Sequence, residues 1–269
     1  MVQSRNHLSI LDRPDMLQFI FYPRKDMGGR RSVSNARDYR ILVEEEVSIG
    51  CRFYVCKKDS PNILFFHGNG EIVSDYDDVA PLYNRIGINL FVADYRGYGF
   101  SGGTPTVTSM IGDAHKIFKA FIEILKEDDH TGKVFLMGRS LGSASAIELT
   151  HYYQKQIDGI IVESGFANIF ELLKDIGFPV ESLNLPEVAA DYNLSKIRSI
   201  SIPTLVIHAE YDHIVPLREG ETIFDTVSAD KKSMLIVPNA NHNNIMILGI
   251  NEYFRSIEEF VFSYRAIPK

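Results

Sequence analysis

The stretch "KVFLMGRSLGSASAIELTHYY" (Lys133–Tyr153) decides the fold. "VFLM" is an apolar run too short for a helix and without polar alternation, which is the pattern of a strand buried on both faces. Gly138 and Gly142 then bracket Arg139, Ser140 and Leu141, and "SASAIELTHYY" continues at helical spacing. A strand that passes through a tight glycine turn straight into a helix is the beginning of a β-α unit, and such units imply a parallel sheet. Further short apolar runs lie on either side: "NILFFHG" (Asn62–Gly68), "INLFVADY" (Ile88–Tyr95), "DGIIVESG" (Asp158–Gly165), "TLVIHAEYD" (Thr204–Asp212) and "SMLIVPNA" (Ser233–Ala240). Between them Met110, Ala114, Ile117, Phe118, Phe121, Ile122 and Leu125 share one helical face. Tyr253, Phe254, Ile257, Phe260, Val261 and Tyr264 share another at the end of the chain. "EIVSDYDDVAPLYNRIG" (Glu71–Gly87) has helical spacing interrupted by Pro81.

This alternation predicts an α/β protein with a mostly parallel sheet covered by helices on both faces. Two segments break the rhythm. "YRILVEEEVSIGCRFYVCKKD" (Tyr39–Asp59) predicts one or two antiparallel strands at a sheet edge. "FANIFELLKDIGFPVESLNLPEVAADYNLSKI" (Phe166–Ile197) is apolar and punctuated by proline, and predicts a short helical insertion over one end of the sheet.

Bulk composition narrows the possible roles. The chain has 269 residues, a formal net charge of -7 and 45% hydrophobic residues. That balance suits a globular domain and disfavours nucleic acid as a partner. The basic cluster Arg30, Arg31, Arg37 and Arg40 reads as a solvated loop. Cys51 and Cys56 fall in one strand-like segment, where extended chain would hold them about 16 Å apart, too far for a disulfide. No apolar run has the length of a membrane span, and "MVQSRNHLSILDRPDML" lacks the apolar centre of a signal peptide. These features lead to the expectation of a cytoplasmic setting. No histidine pair has zinc-like spacing, so neither a metal nor another cofactor is expected.

Gly-x-Ser-x-Gly occurs twice, as "GFSGG" (Gly99–Gly103) and "GRSLG" (Gly138–Gly142). A nucleophile elbow needs a strand directly before it and a helix directly after it. "GFSGG" has neither: "RGYG" separates it from the preceding strand, and "GTPT" follows it. With the preceding "RGYG" it also places Gly97, Gly99 and Gly102 in a dinucleotide-like spacing, without the acidic second-strand residue that such a site needs. It reads as a structural turn, and Ser140 is the candidate nucleophile. A serine needs a base and an acid, and on this kind of sheet they follow it in the order acid, then histidine. Asp212, with Glu210 as the alternative, closes the strand of "TLVIHAEYD". His242, in "NANHNN", follows the last strand. Leu141 N–H and Asn69 N–H, the latter in "HGNG" (His67–Gly70), are the candidate oxyanion donors. His7, His115, His130, His151, His208 and His213 read as surface or packing residues. Arg139 reads as a surface ion pair in preference to a substrate-carboxylate site.

"HGNG", "DYRGYGFSGG", "GRSLGS", "HAEYDHIVP" and "NANHNN" come in the order and spacing of the α/β-hydrolases. The chain resembles the serine hydrolases of that superfamily that carry "DYRGYG" after the second core strand, a group that includes protein-depalmitoylase-like enzymes. The resemblance spans Tyr39 to the C-terminus. It implies the α/β-hydrolase fold with about eight strands, a Ser-acid-His triad, and a lid inserted after Glu163, at about residues 165–200. It also implies that Asp94 and Arg96 brace a turn. Residues 1–38 form an N-terminal arm without a counterpart. The expected chemistry is cleavage of an acyl ester or thioester of a small molecule through an acyl-serine. Acyl transfer, amide or peptide cleavage, and non-catalytic binding are the alternatives. Phe166, Phe170, Ile176 and Phe178 of the insertion are the expected substrate contacts.

Overall fold

The computed structural model describes residues 9–28, 35–175, 177–180 and 192–263. Eight strands form one sheet: β1 (Ala36–Glu44), β2 (Val47–Tyr54), β3 (Asn62–Phe66), β4 (Asn89–Ala93), β5 (Val134–Arg139), β6 (Gly159–Glu163), β7 (Thr204–Ala209) and β8 (Lys232–Val237). Their spatial order is β1-β2-β4-β3-β5-β6-β7-β8. β1 pairs antiparallel with β2, and β2 antiparallel with β4. Every pairing from β4 to β8 is parallel. The acid-rich edge segment therefore makes two strands. The expected α/β-hydrolase sheet is present.

Among the described residues the helices are α1 (Pro14–Ile20), α2 (Ala80–Arg85), α3 (Val107–Glu127), α4 (Gly142–Tyr153), α5 (Ile169–Asp175), α6 (Tyr192–Arg198), α7 (Leu217–Thr226), α8 (Ile245–Leu248) and α9 (Ile250–Phe262). Side chains alternate across each strand, so each continuous apolar strand feeds two cores. Leu64, Phe66, Leu136, Ile160 and Val206 pack with residues of α1, α3, α4, α5 and α7 on one face. Ile63, Phe65, Phe135, Met137, Ile161, Leu205 and Ile207 pack with α2, α8 and α9 on the other. α3 starts at Val107, three residues before Met110, because Thr106 and Ser109 cap it reciprocally, at 2.9 and 3.0 Å.

Three elements differ from the sequence reading. The segment before β4 is not one helix but a 3-10 turn (Val73–Asp77) followed by α2, with Pro81 in the first turn of α2. Proline has no N–H to donate, which the opening of a helix tolerates and its interior does not. α1 was unforeseen in the arm. Its Met16 and Ile20 are buried, and Pro14 and Asp15 at its start carry the N-terminal signal that could have revealed it. The four-residue α8 is too short to show periodicity. Tyr264, expected on the inner face of the last helix, lies outside the described residues.

Candidate active site

The ends of four parallel strands meet at one edge of the sheet. At the end of β5 the chain turns into α4 through Ser140, which has φ 50°. The flanking glycines are required by contact. A Cβ at Gly138 would lie 2.4 Å from the Gly142 carbonyl oxygen, and one at Gly142 would lie 2.1 Å from that of Phe66. The turn is thus too tight for side chains on either side of the serine. α4 starts immediately afterwards and directs its positive end toward Ser140.

Asp212 lies in the loop after β7. One of its oxygens accepts the N–H groups of Ile214 (3.0 Å) and Val215 (2.8 Å), which fixes the carboxylate. The other is 2.8 Å from His242 Nδ1. A carboxylate only accepts, so Nδ1 carries the ring proton and Nε2 is free to accept. Nε2 is 3.0 Å from Ser140 Oγ. The structure therefore brings Ser140, Asp212 and His242 into one continuous chain, all three buried. Glu210 does not reach the histidine; it accepts the N–H of Asn239 at 2.8 Å. Burial pushes the Asp212 carboxyl up. The His242 hydrogen bond and charge and the Val215 N–H outweigh burial, so the group is held below its ordinary value. His208 lies behind the acid, fully buried, with Nε2 donating to the Val215 carbonyl at 2.9 Å.

Asn69 and Leu141 line the cavity beside Ser140. No hydrogen bond among the described residues engages the main-chain N–H of either. The Asn69 side chain points the other way. Its amide donates to the Ile20 carbonyl (2.8 Å), and its oxygen accepts from Tyr22 N–H (2.9 Å) and Tyr98 Oη (2.6 Å). The arm is thus tied to the loop that carries a candidate oxyanion donor. His67 of the same loop is fully buried, with Nε2 at 3.2 Å from Asp94 Oδ1.

The cavity measures about 330 Å³. Phe166, Ile169, Leu172 and Leu173 form one wall, Phe19, Ile20 and Tyr22 of the arm form another, and Ile214 and Val215 close a side. Of the described lid residues expected to contact a substrate, Phe166 lines it and Phe170 and Phe178 do not. Phe170 is buried in the core, because on α5 positions 169, 172 and 173 share the cavity face and 170 is turned about 100° away. Phe178 sits outside the lining and packs edge-on against Phe19 at 5.2 Å, bracing the arm's wall. Ile176 lies outside the described residues. The arm's contribution was missed, since nothing local in "QFIFYPR" marks it as a cavity wall.

Arg139 is not a surface residue. Its side chain is 12% exposed. It bonds Glu163 at 3.1 Å, Glu71 at 2.5 Å and the main-chain carbonyl of His242 at 2.6 Å. Glu71 in turn accepts Gly68 N–H (2.8 Å) and Tyr76 Oη (2.6 Å), and Glu163 accepts Tyr253 Oη (2.7 Å).

The second serine pattern is a brace. Ser101 Oγ accepts Gly50 N–H at 2.9 Å. Asp94 accepts Val73 N–H at 2.9 Å, and Gly99, at φ 48°, leaves it room: a Cβ there would lie 2.1 Å from the carboxylate. Arg96 grips Asp113 of α3 in a two-bond fork, at 2.7 and 2.9 Å. Both cysteines are free. Among the described residues no three His, Cys, Asp or Glu side chains gather as metal ligands, and no helix is long and apolar enough to cross a membrane.

Known proteins resemble this chain in sequence and in fold. A protein-family model described as serine aminopeptidase, S33, matches residues 58–182. The chain is 29% identical over 207 residues to protein bem46 of Schizosaccharomyces pombe, covering 75% of this chain and 67% of that protein. It is 28% identical over 221 residues to human alpha/beta hydrolase domain-containing protein 17B, covering 79% and 70%. Its fold is similar to that of the Pyrococcus furiosus esterase Pf2001 (TM-score 0.71, 18% identity, 91% of this chain and 99% of that one). It is also similar to Est1E of Butyrivibrio proteoclasticus, solved with ferulic acid (TM-score 0.69, 17% identity, 84% and 99%). With a sheet of this order and a serine at the strand-to-helix turn, the chain has the α/β-hydrolase fold and is similar in sequence to an α/β hydrolase domain-containing protein.

Proposed function

We propose that the protein is a serine hydrolase that cleaves small acyl esters or thioesters through an acyl-serine. The observation that carries this reading is the unbroken Asp212–His242–Ser140 hydrogen-bond chain opening onto an apolar cavity. In this mechanism His242 Nε2 takes the proton as Ser140 Oγ attacks the acyl carbon, while Asp212 holds the imidazole and stabilises its cation. The oxyanion is held by Asn69 and Leu141 N–H, with the positive end of α4 behind them. His242 then returns the proton to the leaving alcohol or thiol, and the acyl group stays on Oγ. A water molecule, deprotonated by the same nitrogen, releases the acid.

The family whose model matches the chain, serine aminopeptidase S33, raises a peptide substrate with a free amino end. The cavity gives no support to it: among the described lining residues none is a carboxylate that could pair with an α-ammonium. An unpaired buried charge of that kind is strongly disfavoured. Apolar walls fit an acyl or aromatic group, and the reading of a small-molecule acyl substrate rests on them. Two free cysteines fit a reducing, cytoplasmic compartment.

A chain-length series of p-nitrophenyl esters and acyl thioesters tests the reading. The wild type turns over short to medium chains, Ser140→Ala turns over none, and a fluorophosphonate labels only the wild type. Turnover by Ser140→Ala equal to that of the wild type would overturn the reading. Release of acyl-alcohol instead of acid, when an alcohol is added, would reassign the protein to acyl transfer.

A further inference from the structure

Ser140 and His242 stand 102 residues apart in the chain, and their contact depends on how two loops are registered. The histidine loop is tied to the acid loop through Tyr211 N–H on the Ala240 carbonyl (2.8 Å) and Asn239 N–H on Glu210 (2.8 Å). These bonds register His242 against Asp212. They do not register it against the strand that carries the serine. That link is made by Arg139, the residue immediately before Ser140, whose guanidinium donates to the His242 carbonyl at 2.6 Å. The other arms of the same group are held by Glu163 at the end of β6 and by Glu71 in the loop that carries Asn69. A planar guanidinium with donors in a fixed fork holds three acceptors in one geometry, which a single ammonium cannot do. The bonds are charge-assisted and largely shielded from water, the conditions under which such contacts are shortest and stiffest.

We propose that Arg139 is a positioning residue: its guanidinium sets the reach of the His242 imidazole to the Ser140 hydroxyl by fixing the His242 carbonyl to the nucleophile's strand. The proposal rests on the reading of Ser140 as nucleophile and His242 as its base. Arg139 lies one residue from the serine, and the cavity lining does not include it. Its loss therefore acts on the reaction step and not on substrate affinity. A displacement of about 1 Å between reacting groups costs on the order of 100-fold in rate.

The test is the second-order rate of fluorophosphonate labelling, with kcat and KM for an activated ester measured beside it. The variants are Arg139→Lys, Arg139→Met, and Arg139→Met combined with Glu163→Gln, which removes a carboxylate that the single change leaves buried without its cation. Tyr253→Phe is the control, because it cuts the 2.7 Å bond on the far side of Glu163 without touching Arg139 or His242. Labelling and kcat fall roughly 100-fold in the methionine variants, with KM within about twofold of wild type. Arg139→Lys recovers part of the loss. Tyr253→Phe melts at a lower temperature and labels at the wild-type rate. Wild-type labelling by a folded methionine variant overturns the proposal, as does an equal slowing in Tyr253→Phe. If the methionine variants do not fold, Arg139→Lys decides: slower labelling at constant KM supports positioning, and an unchanged rate refutes it. Absence of labelling in the wild type refutes the reading of Ser140, a different outcome.

Discussion

Ser101 and Ser140 occupy the same five-residue pattern and are both buried, yet their surroundings assign them opposite work. Ser101 Oγ satisfies the N–H of Gly50 in β2, and Ser140 Oγ bonds only the ring of His242 among the described residues. Substituting each with alanine therefore separates stability from activity. Ser101→Ala leaves a buried N–H without a partner and lowers unfolding free energy by about 1–3 kcal/mol. Its rate per folded molecule stays at the wild-type level. Ser140→Ala leaves no buried backbone group unsatisfied, keeps its melting temperature, and loses fluorophosphonate labelling. Denaturant titration of both, beside the labelling assay, checks the pair. The same close fitting explains Gly220 in α7. A Cβ there would lie 2.4 Å from His208 Nδ1, and His208 sits behind the acid loop, so a helix position that would otherwise favour alanine is kept bare.

Helix packing around α4 holds a charged cluster well away from the nucleophile. Glu148 of α4 lies against Lys196 of α6 and 3.2 Å from His115 Nε2 of α3, with Glu148 and Lys196 both buried. This cluster anchors the return helix of the insertion to the core. Burial pushes the Lys196 ammonium down from 10.5 to about 8, against the pull of Glu148. The sign follows from proton counts. Between about pH 8 and 10.5 the unfolded chain holds the lysine proton and the folded chain does not, so this group makes stability rise with pH over that window. Below pH 8 both states are protonated, and above 10.5 neither is, so the slope vanishes on either side. Lys196→Met removes the slope. The difference in unfolding free energy between wild type and variant changes by roughly 2–3 kcal/mol from pH 8 to 10.5. Urea titrations at pH 7.5, 9 and 10 measure it, and parallel pH profiles would contradict it. A second expectation belongs to the same cluster. Glu148→Ala strands a buried ammonium and costs about 3–5 kcal/mol, while Glu123→Ala, on the outer face of α3, stays within about 0.5 kcal/mol.

At the scale of the whole molecule the arm is part of the site. Phe19, Ile20 and Tyr22 line the cavity, and Asn69 binds the arm's backbone at Ile20 and Tyr22. Arg24 extends the tie by donating to the Gly70 carbonyl at 3.0 Å, and Lys25 by donating to Ser101 at 2.8 Å. Phe19 and Tyr22 are 42% and 61% exposed, so truncating them costs little folding energy while enlarging the mouth of the cavity. Phe19→Ala and Tyr22→Ala are expected to shift the preferred acyl length upward in the ester series, chiefly through KM. They should leave labelling by a small fluorophosphonate within about twofold of wild type, since a wall that binds all states alike changes affinity and not the reaction step. An unchanged chain-length profile in both variants would remove the arm from substrate recognition.

The β-α alternation, the strand-to-helix turn at Ser140 and the loop positions of Asp212 and His242, which the fold brings into contact with it, could be read from the chain. Each depends on local rules: apolar runs that must be buried on both faces, glycines where a turn leaves no room, and connections that put functional loops at the strand ends. Three things could not be read this way. Arg139 looked like a surface charge because its partners, Glu71, Glu163 and His242, come from three separate parts of the chain, two loops and the end of β6. Phe170 and Phe178 looked like pocket residues because apolar composition does not say which face of a short helix meets the cavity. The arm looked detached because its ties to Asn69 and Tyr98 join residues 47 to 76 positions apart. Sequence alone determined the core strands and the longer helices and their order along the chain, but not the short helices α1 and α8. Only the closed tertiary structure decided which long-range polar groups meet, because those bonds exist only after the sheet has brought its loops together.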